Sequence, residues 1–216
     1  VALPLGVLKD MAADLFSPPL PLLKMDALER SGLGNLNTLL VRWNRALALP
    51  PQTNAYYFLE SRYSDNPLRY GFSCPSRMRH CDQPCTVTQF HFSETNHPFD
   101  DLEFWKTQAV EIVQDVIMEG SLSVDDIDVA HVSQWHADPD IRGSYSAATT
   151  RTRGNPDRRI LGASIGGGRV VFAGEHTHTG GRYQSMDGAY ETGARAAQEV
   201  LDLMARGSDE GRNASS

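Results

Sequence analysis

The stretch from Phe172 to Ala197, FAGEHTHTGGRYQSMDGAYETGARAA, sets an apolar run, a polar glycine-rich corner and a helix side by side. A strand that turns through glycines into a helix presents unpaired backbone N–H groups and a partial positive charge to whatever sits in front. The chemistry such a corner offers is the holding of an anion, or of a flat group that gains negative charge. Ser185 can cap the helix, Asp187 falls in its first turn, and Gly188, Ala189 and Gly193 keep that face small. Simple tight packing of a helix on a sheet is the plainer reading of the same pattern. His176 and His178 project the same way from extended chain, but no carboxylate or third histidine is spaced to complete a metal site, so none is assigned. Gly162 to Gly166, GASIG, has the letters of a nucleophile elbow, yet a charged, proline-containing loop precedes Ser164 and a strand is expected after it, the reverse of what an elbow needs. Cys74, Cys81 and Cys85, with His80 beside them, fit no zinc-ribbon spacing; one disulfide plus a free thiol, or three buried thiols, are the alternatives. Read without context, Trp135 is a core aromatic and Tyr145 a loop residue.

The elements that must position these residues follow from pattern. VALPLGVLK begins with β-branched and apolar residues and reads as a strand entered part-way, so the chain is expected to be a fragment or a processed subunit. Pro18, Pro19 and Pro21 exclude helix interior, after which Leu23, Ala27 and Leu28 predict a short helix ended by Gly32 or Gly34. NTLLVRWNR, AYYFLESRY, LRYGFSC and CTVTQFHF predict strands of a mixed or antiparallel sheet. Asp100 or Asp101 caps a helix in which Leu102, Trp105, Ala109, Ile112, Val113 and Val116 recur at helical spacing up to Gly120. IDVAHVSQWHADP returns as a strand, and residues 145–168 read as a long polar connection. RVVFAG has the form of a buried strand. The final helix carries Met186, Ala189, Tyr190, Gly193, Ala196, Ala197, Val200, Leu201 and Met204 on one stripe, and a small polar tail from residue 207 is expected to be disordered. The fold class is α/β with mixed α+β character.

Bulk properties exclude several partners. The 216 residues carry a formal net charge of −7 with no lysine or arginine stripe, which leaves nucleic acid without electrostatic support. No apolar run approaches the roughly 20 residues that cross a bilayer, so no membrane partner is assigned. The chain reads as soluble, the cytoplasm favoured over secretion, and the sequon at Asn213 would matter only in a secreted protein.

VALPLGVLK, FSPPLP, SGLGNLN, WHADPDIRGSYS, FAGEHT and MDGAYETGARAA stand here in an order and spacing that resembles the flavin-containing amine oxidase family, which includes monoamine oxidases, polyamine oxidases and lysine-specific histone demethylases. The resemblance runs from Val1 to about Leu203 and covers only the family's C-terminal half, because no G-x-G-x-x-G is present for the ADP end of the cofactor. It implies residues 1–8 and 169–206 in the FAD-binding domain, residues 9–168 in a substrate-binding domain with its connections, and an N-terminal half as partner. It further implies FAD as cofactor, with Gly174 and Glu175 along the ribityl-pyrophosphate and Ser185 and the Met186 amide at the pyrimidine edge of the flavin. Trp135 would pack near the flavin, and Tyr145 would form one wall of an aromatic cage for a small-molecule amine, a polyamine or a relative of one. The activity implied is oxidation of the amine to an imine by hydride transfer to flavin N5, hydrolysis to a carbonyl product and release of hydrogen peroxide.

Two departures qualify that implication. Thr38 stands where the family usually has a lysine near flavin N5, so a catalytic cation is missing from a position tied to reaction with dioxygen. The opposite cage wall aligns with Ser185, or with Gln184 in a slipped register, which widens the pocket. A non-catalytic subunit that keeps the fold, or another flavin oxidoreductase such as an amino-acid oxidase or desaturase, are the rival readings.

Overall fold

A computed structural model describes residues 1–47, 67–68, 71–76, 86–93, 97–117 and 121–213. The chain forms two compact units, Val1–Gly34 with His136–Ser216, and Asn35–Trp135. These boundaries differ from the expected ones at residues 8 and 169, because Leu5, Leu8, Ala12, Leu20, Ala27 and Leu28 share one core with Leu161 and Phe172. Apolar burial thus ties the first two helices to the closing segment.

In the first unit the opening residues are helical, which corrects the expected strand. Helix α1 spans Leu5–Leu15. Pro4 sits at its N-cap, where the missing N–H costs nothing, and its carbonyl accepts the Leu8 N–H at 2.9 Å. Leu5, Leu8 and Ala12 then fall on one buried face at helical spacing. Pro21 starts α2, Leu22–Arg30, in the same manner. Strand β1, Gly32–Leu33, pairs antiparallel with β6, Ser146–Ala147.

The stretch read as a connection holds a further helix, α4, Asn155–Gly162, with a proline in its first turn. Polar composition concealed it: cations of α2 grip both its ends, and Leu161 adds an apolar contact at the second. Arg30 pairs with Asp157 at 2.6 Å in the first turn of α4. Burial raises the Asp157 carboxyl, but Arg30 and the Arg153 N–H outweigh that and hold it below the ordinary carboxylate range. Lys24 reaches the other end, donating to the carbonyls of Ile160, Leu161 and Ala163 at 2.6, 2.7 and 2.8 Å. Its ammonium lies 4.0 Å from the centroid of the Phe172 ring, and burial, with Arg195 adding to it, lowers the pKa to about 8. With the two cations in this order, α2 and α4 lie antiparallel.

RVVFAG is extended but forms no ladder strand. Val170 bridges back to Ile165, and the Ala173 N–H donates to the Val1 carbonyl at 2.9 Å while the Val1 ammonium donates to the Val171 carbonyl at 2.6 Å. Helix α5 spans Met186–Asn213, continuing past residue 207 because propagation of an established helix is far easier than nucleation. Its buried face meets its apolar stripe only in part, at Ala196. Gly188, Thr192 and Ala196 are buried, whereas Met186 is 89% and Tyr190 81% exposed, and Leu201 and Met204 are exposed with them. Close approach by small residues seats the helix: a Cβ on Gly188 would fall 1.8 Å from the Arg182 carbonyl oxygen. Arg195 secures it further by donating to the carbonyls of Gly162 and Phe172.

The second unit is an antiparallel sheet of order β3-β4-β2-β5 with α3. Its strands are β2, Asn37–Trp43, β3, Gly71–Ser76, β4, Thr86–Phe92, and β5, Ile127–Val132. Alternation along β2 buries Leu39, Val41 and Trp43, which join Phe90 and Phe92 of β4 in a core with Trp105, Ile112 and Val113 of α3, Leu102–Ile117. Asp101 caps α3 as expected, accepting the Phe104 N–H at 3.1 Å. The strand expected in AYYFLESRY, residues Cys81 and Cys85 with His80, and the last two residues of the sequon lie outside the described residues. No described helix is long and apolar enough to cross a membrane.

Candidate functional site

The corner before α5 is built around one carboxylate. Gly174 has φ +132°, a conformation open to glycine, and its N–H donates to the Thr192 hydroxyl at 3.0 Å. A Cβ there would meet the His176 ring at 2.6 Å. The chain can therefore enter a single 3-10 turn over Glu175–Thr177, which aims Glu175 back at β6 and forward at the loop. Glu175 Oε1 accepts the Ser146 N–H, and Oε2 accepts the Ser146 hydroxyl and the Gln184 N–H, all at 2.7 Å. Gln184 returns a bond from Nε2 to the Ser146 carbonyl at 2.6 Å. These bonds hold Gln184 at φ +64°, a strained setting for a residue with a Cβ.

Beyond Gln184 the chain enters the helix. Ser185 Oγ accepts the Gly188 N–H at 3.2 Å and donates to the Arg182 carbonyl at 2.7 Å, so it is the N-cap that the sequence predicts. Met186, the first helical residue, projects into the open, and its amide belongs to the turn that no helix satisfies internally. Tyr145 is half-buried at the start of β6. Its carbonyl accepts the Gly34 N–H at 2.7 Å, the Ser144 N–H donates to the Gly34 carbonyl at 3.0 Å, and its ring lies where a Cβ on Gly34 would come within 2.6 Å. Gly174, Glu175, Ser185, Met186 and Tyr145 are thus gathered in one unit, through Ser146 and Gln184.

The two histidines of the corner are committed elsewhere. His176 is buried, and desolvation lowers its pKa to about 4, with Glu175 opposing and Arg158 and Lys24 assisting. His178 Nδ1 accepts the Gly180 N–H at 3.0 Å, which leaves Nε2 as the donor to Glu191 at 2.8 Å. Among the described residues no three His, Cys, Asp or Glu side chains are grouped to hold a metal. Ser164 follows α4 and precedes a bridged turn, so it lacks the strand-to-helix setting of a nucleophile.

Thr38 and Trp135 belong to the second unit. Thr38 lies on β2 with its N–H donating to Ser133 Oγ at 2.7 Å and its hydroxyl 3.3 Å from His91 Nδ1. Burial lowers the pKa of His91, the ring beside Thr38, and so disfavours its charged form. Trp135 follows β5 in a turn and is 39% exposed, which corrects its reading as a core aromatic. The sequence reading gave Ser146, Gly34 and His91 no part in the site: the first two lie inside quoted motifs, and the third needs the β2–β4 register that sets Thr38 opposite it.

A family model described as flavin containing amine oxidoreductase matches residues 1–201. The chain is 32% identical over 217 residues to Protein FLOWERING LOCUS D of Arabidopsis thaliana, an alignment covering 94% of this chain and 25% of that protein. It is 30% identical over 218 residues to Lysine-specific histone demethylase 1 homolog 1 of the same plant, covering 94% of this chain and 24% of the relative. Probable polyamine oxidase 5, also from Arabidopsis thaliana, is 29% identical over 252 residues, with 93% of this chain and 45% of the relative covered. The chain spans 24 to 45% of the length of these relatives.

Proposed function

The chain belongs to the flavin containing amine oxidoreductase family, and on that footing we propose that it supplies the ring side of an FAD site and a substrate wall in an enzyme that oxidises amines. A further segment with a G-x-G-x-x-G motif would hold the ADP end. The apolar stripe that α5 leaves uncovered supports a segment seating there. The observation that carries the reading is the open amino end of α5, where Ser185 closes the cap and Met186 stands free. A flavin ring fits that end: it needs an unobstructed approach and a partial positive charge facing its pyrimidine edge.

When bound, the flavin supplies the acceptor for a hydride from the carbon bearing the amine, leaving an imine for water to hydrolyse to a carbonyl product. The Ser185 and Met186 backbone would steady negative charge at the pyrimidine edge. Gly174 and Glu175 would lie along the ribityl chain, Glu175 serving that contact by fixing Ser146 and Gln184 in place. Tyr145 would orient the amine by presenting a ring face, and Trp135 would take the flavin-packing role that the family resemblance implies for it. A polyamine or a methylated lysine is the substrate class that the relatives' names support.

The test is the purified protein's visible flavin band, which should bleach when polyamine or methyl-lysine peptide is added without oxygen. Thr38 supports a second reading, a member that keeps the fold without oxidase turnover. Under the first reading Thr38→Lys restores a cation and speeds return of electrons to dioxygen, with hydrogen peroxide released, by about ten-fold or more. Stopped-flow reoxidation measures this, and an unchanged rate contradicts the placement of Thr38. A protein that holds no flavin, or holds it without bleaching, favours the second reading.

A further inference from the structure

We propose that the cavity between the start of α4 and the loop leading into α5 binds a small oxyanion, a carboxylate or a phosphate, on Arg158. The cavity is about 690 Å³ and lies within the first unit, lined among others by Thr152, Asn155, Arg158, Gly180, Gly181 and Tyr183. Arg158 is 8% exposed, and its guanidinium carbon lies 3.9 Å from the centroid of the Tyr183 ring. The cation thus lies over the ring face, an aromatic surface that accepts none of its N–H donors in a conventional hydrogen bond.

Burial sets Arg158 apart from Arg153, Arg159 and Arg169, which are exposed, and its donors set it apart from the paired arginines of this unit. Arg30 has Asp157, Arg142 has Asp10, Arg151 has Glu29, Arg182 has Glu191, and Arg195 has two carbonyls and Glu199. No acceptor among the described residues bonds to the Arg158 guanidinium. The neighbouring carboxylates are already filled, Asp157 by Arg30 and the Arg153 N–H, Glu175 by Ser146 and Gln184. A planar fork of donors that opens onto a polar cavity matches two oxygens of one carboxylate or phosphate. The cavity start coincides with the first turn of α4, whose peptide dipoles add to the attraction. A Cβ on Gly181 would meet nothing within 4 Å, so the loop leaves room for the group that carries the anion.

This site stands on its own residues, and its test uses no flavin. The isotope-labelled chain is titrated with sodium phosphate and, separately, sodium acetate, at ionic strength held constant with sodium chloride, and amide shifts are followed. Saturable shifts are expected at Thr152, Gly180 and Gly181. Arg158→Gln should weaken the binding about ten-fold or more, and Arg158→Lys less, because it keeps the charge and loses the fork. Saturation by phosphate alone assigns a phosphoryl ligand and saturation by acetate a carboxylate, and either supports the site. Unsaturated, linear shifts with both anions overturn it, as does an unchanged dissociation constant in a folded Arg158→Gln. Should circular dichroism show that variant unfolded, Gly181→Asp decides: an internal carboxylate set beside Arg158 should abolish the response to both anions, and undiminished binding overturns the proposal.

Discussion

The Glu175 carboxylate accepts from the Ser146 amide, the Ser146 hydroxyl and the Gln184 amide, so one residue fixes both the strand after Tyr145 and the residue before Ser185. Glu175→Gln removes the charge and turns one acceptor into a donor facing donors. The expected cost is about 2 kcal/mol, seen as a lower melting temperature and faster amide exchange in residues 178–185. His176 makes a separate prediction. Its pKa is about 4 in the fold against 6.5 unfolded, so between those values the unfolded chain binds the extra proton and stability falls as pH falls. Denaturant unfolding at about pH 7 and about pH 5 should differ by about 2 kcal/mol from this residue, and His176→Leu should remove that difference. Spacing alone showed Ser185 as a cap, because an N-cap is a local device. Apart from the family resemblance, Glu175 was legible only as a charge beside a glycine, since its partners lie 29 residues back and 9 residues on.

At the scale of elements, α4 is held where its own sequence would leave it unstable. Eight residues with few apolar positions do not make a helix in water, and the ends are supplied by Arg30 and Lys24 of α2. Lys24→Met leaves three carbonyls at the end of α4 without their shared donor, at a cost of about 3 kcal/mol measurable by denaturant unfolding. A stability unchanged within error would contradict the capping role. This helix escaped the sequence reading because its support comes from lysine and arginine more than 120 residues away. The opening strand was misread for a local reason, the weight given to β-branched residues over Pro4, which starts a helix readily. Residues of β2, β4 and α3 were legible because alternation and helical spacing agreed with burial. For α5 the helix was legible and its buried face was not, because glycine, threonine and alanine seat it while the larger apolar residues stay uncovered.

At the scale of the molecule, two compact units share one chain, and the residues that the family resemblance nominates divide between them. The family was legible because six motifs kept their order across the length that the family model matches, residues 1–201. Which chemistry those motifs serve turns on the amino end of α5. If an electron-accepting ring faces Ser185 and Met186, a carboxylate placed there must disfavour the negative charge the ring acquires. The reduction potential of the flavin-loaded protein, compared between Ser185 and Ser185→Asp, measures that directly. A helix-terminus charge worth about 1 to 2 kcal/mol predicts a two-electron potential lower by roughly 20 to 40 mV in the variant. An unchanged potential in a variant that still binds flavin would contradict the assignment of this end of α5 to the ring.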